Sequence, residues 1–128
     1  MATALSAAKL ASALGERFSL VLPPGLEIGV DGTAVMLAET DTGGWRIVDL
    51  LWYELAEGEF DVCSAVEQVL DAFQDEAAET TTEPWPAASP GPMPEPFVEI
   101  RGGELLAGYG DMERPVLSLR PIPLRGLA

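Results

Sequence analysis

Residues 60–79, FDVCSAVEQVLDAFQDEAAE, decide the fold because they have the pattern of an amphipathic helix. One face of this helix carries small and apolar side chains at helical spacing: Val62, Ala65, Val66, Val69, Phe73 and Ala77. The other face carries an acid at every fourth position: Glu67, Asp71, Asp75 and Glu79. The stretch therefore predicts a helix that is buried on one side and acidic on the other. Asp61, or alternatively a capping box of Ser64 with Glu67, is expected at its start.

The chain before this helix predicts one helix and several strands. Residues 3–16 have helical spacing, with Thr3 as the N-cap and Gly15 at the end, and residues 18–22 are expected to form a strand. Residues 26–30 and 33–39 flank Asp31–Gly32, a pair that favours a two-residue hairpin turn. Residues 45–55 predict a strand at least as far as residue 50, although residues 48–57 also fit a short helix.

The hairpin around Asp31–Gly32 has a definite expected register. A two-residue loop places Val30 opposite Thr33, and two further pairs follow along the strands. These pairs are Ile28 with Val35 and Leu26 with Leu37. Apart from Thr33, the resulting sheet face is apolar, so it is the expected contact surface for Val66, Val69 and Phe73 of the amphipathic helix.

The chain after the helix begins with a proline-rich stretch, residues 83–96, which predicts an extended crossing over the surface. Residues 97–101 and 104–110 flank Gly102–Gly103 and predict a hairpin with Arg101 opposite Glu104. Residues 116–120 predict a last strand, and Pro121 and Pro123 confine the tail to a sheet edge or to irregular structure.

Together these elements predict one α+β domain over residues 1–128. We expect a mostly antiparallel sheet of about six strands, an N-terminal helix, and the second, amphipathic helix packed on one face. At the level of architecture, this element order and the acidic character resemble small bacterial secretion chaperones.

The charge of the chain is uneven. Its 128 residues have a formal net charge of −14, and residues 47–100 hold thirteen acids without a single Lys or Arg. Such a field repels phosphates and acidic lipids and attracts cationic partners. The sequence therefore argues against nucleic-acid and membrane partners and favours a basic protein.

Several kinds of chemistry are excluded by composition. The chain has no histidine and one cysteine, which excludes a Ser-His-Asp triad, the usual zinc sites and an internal disulfide. It contains neither a Walker A loop nor a GxGxxG motif. We therefore expect no cofactor and no metal. The lack of a basic leader before an apolar run, and of any long apolar run, predicts a cytoplasmic protein.

The leading hypothesis is a non-catalytic acidic module that docks a basic protein, in the manner of an immunity protein, an antitoxin or a secretion chaperone. The predicted contact residues are the four acids of the helix together with nearby aromatic residues, which are common interface anchors when exposed and otherwise belong to the core. These residues are Glu67, Asp71, Asp75, Glu79, Trp52, Tyr53 and Trp85.

Two alternatives belong to other classes of protein. One is a small enzyme that works with carboxylates or a divalent metal. The other is a structural domain that self-associates, with Arg114, Arg120 and Arg125 of one copy against the acidic face of another. The chain is thus expected to be a monomer or a homodimer. The simplest alternative to all of these hypotheses is that the acidic face serves only to keep the protein soluble.

Overall fold

The computed structural model describes residues 6–23, 25–39, 45–48, 59–81, 85–86 and 94–127. These residues form an α+β fold with two antiparallel sheets, where the sequence predicted one sheet. In chain order, one helix precedes the first sheet and a second helix lies between the two sheets. The elements in chain order are α1 (Ala7–Phe18), β1 (Leu26–Asp31), β2 (Ala34–Glu39), β3 (Trp45–Val48), α2 (Glu59–Thr81), β4 (Pro96–Arg101), β5 (Glu104–Asp111), β6 (Arg114–Ser118), β7 (Ile122–Pro123) and a 3₁₀ turn (Leu124–Leu127).

Helix α1 begins and ends later than the sequence predicted. Its N-cap is Ser6, whose hydroxyl accepts a hydrogen bond from the N–H of Lys9 at 3.2 Å, and not Thr3. Gly15 lies inside the helix, which continues to Phe18. The predicted strand over residues 18–22 was wrong: residues 19–21 form turns that end α1, and Phe18 is the last residue of the helix, where its ring is completely buried in the core.

Strands β1 and β2 form the predicted hairpin with a different register. The turn residues are Gly32 and Thr33, and Val30 pairs with Val35. The change moves each partner by two positions, so the same side chains share a face, because side chains alternate with a period of two. The observed register pairs Val30 with Val35 in place of Thr33, but it also pairs Leu26 with Glu39 in place of Leu37, so each register contains one apolar–polar pair.

Strands β4 and β5 form the second predicted hairpin, and Arg101 lies opposite Glu104 as expected. Both turn glycines have positive φ, +61° at Gly102 and +79° at Gly103, a conformation that glycine adopts without a steric penalty. The ion pair of Arg101 runs along its own strand, however, to Glu99 at 2.7 Å.

Strands β6 and β7 form one broken edge strand along β5. β6 pairs with the C-terminal half of β5, and β7 with its start, where Leu105 is opposite Ile122. The register shifts between Tyr109 and Gly110. The predicted edge position of Pro123 is confirmed, since Pro123 pairs with Glu104 on the outside of the sheet.

Within the described ranges, one core cluster joins both sheets and both helices. α1 lies on β1 and β2, whereas α2 has its main contacts with β4. The sequence had placed α2 over the β1–β2 hairpin, and α1 takes that position instead. The two helices meet at Phe18 and Phe73, whose rings stack with centroids 4.4 Å apart.

The C-terminal segment, residues 119–127, closes this core against α1. The guanidinium of Arg17 donates hydrogen bonds to the carbonyl of Arg120 at 3.0 Å and to that of Pro121 at 3.1 Å. The N–H of Ser6 donates to the carbonyl of Leu127. Ile122 and Leu127 are both buried, so the last residues form a wall of the core.

Some expectations lie outside the described residues. These are the continuation of the third strand or a short helix over residues 49–57 and most of the proline-rich crossing, of which only residues 85–86 and 94–96 are described. Trp52 and Tyr53 also fall in the first of these stretches. They remain predictions.

Candidate protein-binding surface

Helix α2 has the two faces that its sequence predicts. All six predicted inward residues are buried: Val62, Ala65, Val66, Val69, Phe73 and Ala77. The four acids Glu67, Asp71, Asp75 and Glu79, called here the acidic stripe, are all exposed. At about 1.5 Å per residue the stripe extends roughly 18 Å along the helix. The helix therefore presents a line of negative charge on a rigid support.

The start of α2 differs from the prediction. The helix begins at Glu59, so Asp61 is its third residue and not its cap. Ser64 and Glu67 lie further inside, which also removes the alternative capping box. The sequence placed the cap at a polar residue next to the apolar pattern, but the helix begins before that pattern, at Glu59.

Two polar contacts hold the buried side of α2, and the sequence pattern predicted neither. The hydroxyl of Tyr109, on β5, donates a hydrogen bond of 2.6 Å to the carbonyl of Leu70. The side-chain amide of Gln74 is buried and donates to the carbonyl of Pro94 at 2.6 Å. Leu70 and Gln74 continue the buried face in four-residue steps from Val66, which is the signal that would have placed them there.

The acidic stripe acts electrostatically on the core below it. Burial raises the pKa of the Tyr109 phenol far above its ordinary value, and the charges of Asp71 and Asp75 raise it further. The phenol consequently stays protonated and keeps its hydrogen to donate to Leu70. Tyr109 is thus fixed as a neutral donor directly beneath the stripe.

Trp85 does not have the exposure that an interface anchor needs. Only 8% of its surface is exposed, and its ring meets that of Tyr109 edge to face with centroids 5.2 Å apart. Such aromatic pairs contribute to core stability beyond the area they bury. The structure therefore places Trp85 in the core, the alternative that the sequence left open.

The surface beside the stripe is polar. A shallow depression of about 220 Å³ is lined by Ser64, Glu67, Gln68 and Asp71. Among the described residues no group of three or more potential metal-ligating side chains lies together. Cys63, the single cysteine, is partly buried and packs against the core.

Within the described residues, none of the four stripe carboxylates forms a salt bridge. An ion pair lies elsewhere, between Arg101 and Glu99 on β4. Three basic side chains, Arg114, Arg120 and Arg125, are exposed on β6 and the C-terminal segment. The fold thus keeps its basic residues on elements other than α2.

The described helices include none that is both long and apolar enough to cross a bilayer. Comparison of the chain with protein-family models, with curated proteins and with solved structures found no match.

Proposed function

We propose that this chain is a non-catalytic module that binds a basic protein partner on the acidic stripe of α2. Immunity proteins, antitoxins and secretion chaperones are classes of protein that work in this way. The observation that carries the proposal is the exposure of all four stripe carboxylates on a helix whose opposite side is buried.

The energetics of the stripe support a binding role. Its members are spaced four residues apart, so they form three like-charge pairs in series, each of which costs about 0.2–0.5 kcal/mol. Glu79 also lies near the C-terminal end of α2, where the helix dipole disfavours an anion. A cationic partner turns this repulsion into attraction. The free protein therefore tolerates a small instability that binding removes.

The form of the stripe indicates what kind of surface would fit it. Neighbouring carboxylates of the stripe are about 6 Å apart along α2 and turn by about 40° around its axis. This inclined row matches a second helix that crosses α2 at an angle and has Lys or Arg at every fourth position. Charge pairs of this kind mainly accelerate association and select partners, and their effect weakens as salt increases. The partner is accordingly a basic protein with a helical contact surface.

The test measures binding to the basic protein encoded beside this chain in the genome, at 50 and 500 mM salt. We expect affinity to fall at least tenfold between the two salt concentrations. Replacing both Asp71 and Asp75 by Asn should weaken binding at low salt by a similar factor, because the stripe loses two of its four charges. The fold should stay intact, since both side chains are exposed.

The matched control changes two exposed acids away from α2, Glu16 and Glu113, to Gln. This variant has the same net charge as the stripe variant. Equal loss of affinity in both variants would show that only total charge matters. Affinity that is insensitive to salt and to the stripe variant would contradict the proposal directly.

Self-association is a second candidate, because Arg114, Arg120 and Arg125 are exposed and one copy could present them to the stripe of another. Sedimentation at the same two salt concentrations separates the candidates. A dimer that dissociates at 500 mM salt, and that the stripe variant abolishes, favours self-association. A monomer at both concentrations removes it.

A further inference from the structure

Strand β1 is the end strand of its sheet. In the part of the chain that the structure describes, it pairs on one side only, with β2. The turn at Gly32–Thr33 makes Asp31 and Ala34 the closing pair of a two-residue hairpin. In such a hairpin the closing pair exchanges backbone hydrogen bonds, and bonded and non-bonded pairs then alternate along the strands.

This alternation decides which backbone groups of β1 face away from β2. Gly29, two residues from the closing pair, is also bonded to β2, whereas Ile28 and Val30 direct their N–H and C=O groups to the free side. Leu26 has the same orientation, and its N–H already donates to Pro23. The open edge is therefore short: among the described residues, the edge-facing backbone groups of Ile28 and Val30 have no partner.

The side chains around this edge differ between the two sheet faces. Glu27 and Asp31 are exposed on one face of β1. Ile28 is half-buried on the other face, and Val30 remains 39% exposed there. An added strand would thus meet two acids on one face and apolar surface on the other.

A second copy of β1 is a poor occupant of this edge. Antiparallel pairing centred on Gly29 places Glu27 of one copy opposite Asp31 of the other, and like charges in that position are destabilising. The net charge of −14 adds repulsion between copies. Strand β6 of a second copy is also a poor partner for β1, since its Pro115 lacks the N–H that strand pairing requires.

We propose that the free edge of β1 adds an antiparallel peptide strand with the pattern basic–apolar–any–apolar–basic. The two basic residues lie opposite Asp31 and Glu27, and the two apolar residues lie opposite Val30 and Ile28, whose backbone they bond. Peptide binding by strand addition has this division of labour, with backbone bonds for affinity and alternate side chains for specificity. The site does not depend on the acidic stripe, which belongs to another element.

The test uses a fluorescein-labelled, end-capped peptide, TKVTVKT, and fluorescence anisotropy at 50 mM salt. The amides of its two valines face β1 in the proposed pairing, and those of its two lysines face away. Methylation of both valine amides should weaken binding at least tenfold, whereas methylation of both lysine amides should change it less than twofold. Equal effects of the two methylations would overturn strand addition.

Protein variants test the charge pattern at the same site. Glu27→Gln with Asp31→Asn should weaken peptide binding at least fivefold. The control pair Glu95→Gln and Glu113→Gln changes the net charge equally at two exposed acids beside the other sheet and should leave binding within twofold. If the control pair weakens binding as much, the peptide is held by the overall field, and the site on β1 is refuted. If the chain forms a dimer and the peptide dissociates it, a second copy of the chain occupies the edge of β1, and the proposed occupant is overturned.

Discussion

Replacement of Phe73 by Ala tests the arrangement of the core most directly. Phe73 is completely buried, and its ring stacks on that of Phe18 at 4.4 Å with an interplanar angle of 19°. Removal of a buried phenyl ring costs about 3–5 kcal/mol, from lost transfer free energy and from the cavity left behind. Domains are stable by only about 5–15 kcal/mol, so the variant should retain a small margin of stability.

Urea unfolding followed by circular dichroism and tryptophan fluorescence measures this loss. With a urea slope of about 1–3 kcal/mol per molar, the midpoint should fall by roughly 2 M at an unchanged slope. The variant Phe18→Ala should be destabilised by a comparable amount. In a double-mutant cycle the two rings should show a coupling of about 0.5–1.5 kcal/mol beyond burial, as stacked aromatic pairs do.

The control is Asp71→Lys on the exposed side of the same helix. It should be neutral or slightly stabilising, because it removes two like-charge pairs and creates two favourable ones, with Glu67 and Asp75. Equal destabilisation by Phe73→Ala and Asp71→Lys would refute the assigned faces of α2. Loss of less than about 1 kcal/mol on Phe73→Ala would refute the stacked core contact.

Three further changes test contacts elsewhere in the fold. Because the pKa of Tyr109 is raised, the unfolded chain loses the phenol proton at a lower pH than the folded chain does. Above about pH 10 the free energy of unfolding should therefore fall by up to about 1.4 kcal/mol per pH unit. Urea melts at pH 9 and pH 11 measure this fall, which should be smaller in Tyr109→Phe. Gly15→Ala should destabilise by about 1–3 kcal/mol, since its Cβ would meet Val30; in a Val30→Ala background the same change should stabilise by up to about 1 kcal/mol in thermal melts. Arg17→Met removes the hydrogen bonds to residues 120 and 121 and should cost about 1–3 kcal/mol, with faster proteolysis of the C-terminal segment; unchanged cleavage would contradict that role.

The features predicted correctly from sequence are those that depend on local pattern. The six inward residues of α2 and its four exposed acids follow from helical spacing alone. The hairpin at Gly102–Gly103 was predicted with its register, because paired glycines at the turn admit few alternatives. At the first hairpin the register differed by two residues, since Asp31–Gly32 and Gly32–Thr33 are adjacent possible turns and both keep the same apolar face.

The features missed depend on contacts between distant parts of the chain. Phe18 extends α1 because it meets Phe73, which lies on α2. Trp85 looked equally suited to an interface and to the core, and its contact with Tyr109 decides for the core. The division into two sheets also depends on where each helix packs, which periodicity does not specify. Nothing in the local spacing of these residues indicates their partners.

The attachment of the last residues to α1 has a consequence for synthesis of the chain on the ribosome. Arg17 is separated from its two carbonyl acceptors by 103 and 104 residues. At about 5–20 residues per second, α1 emerges roughly 5–20 seconds before the segment that covers it. During that interval β1 and β2 can already pack on the helix, but the part of the core wall formed by Ile122 and Leu127 is still missing. The nascent chain therefore keeps one side of its core open until residues 119–127 have been made, and a ribosome stalled before residue 119 would hold an unfinished core.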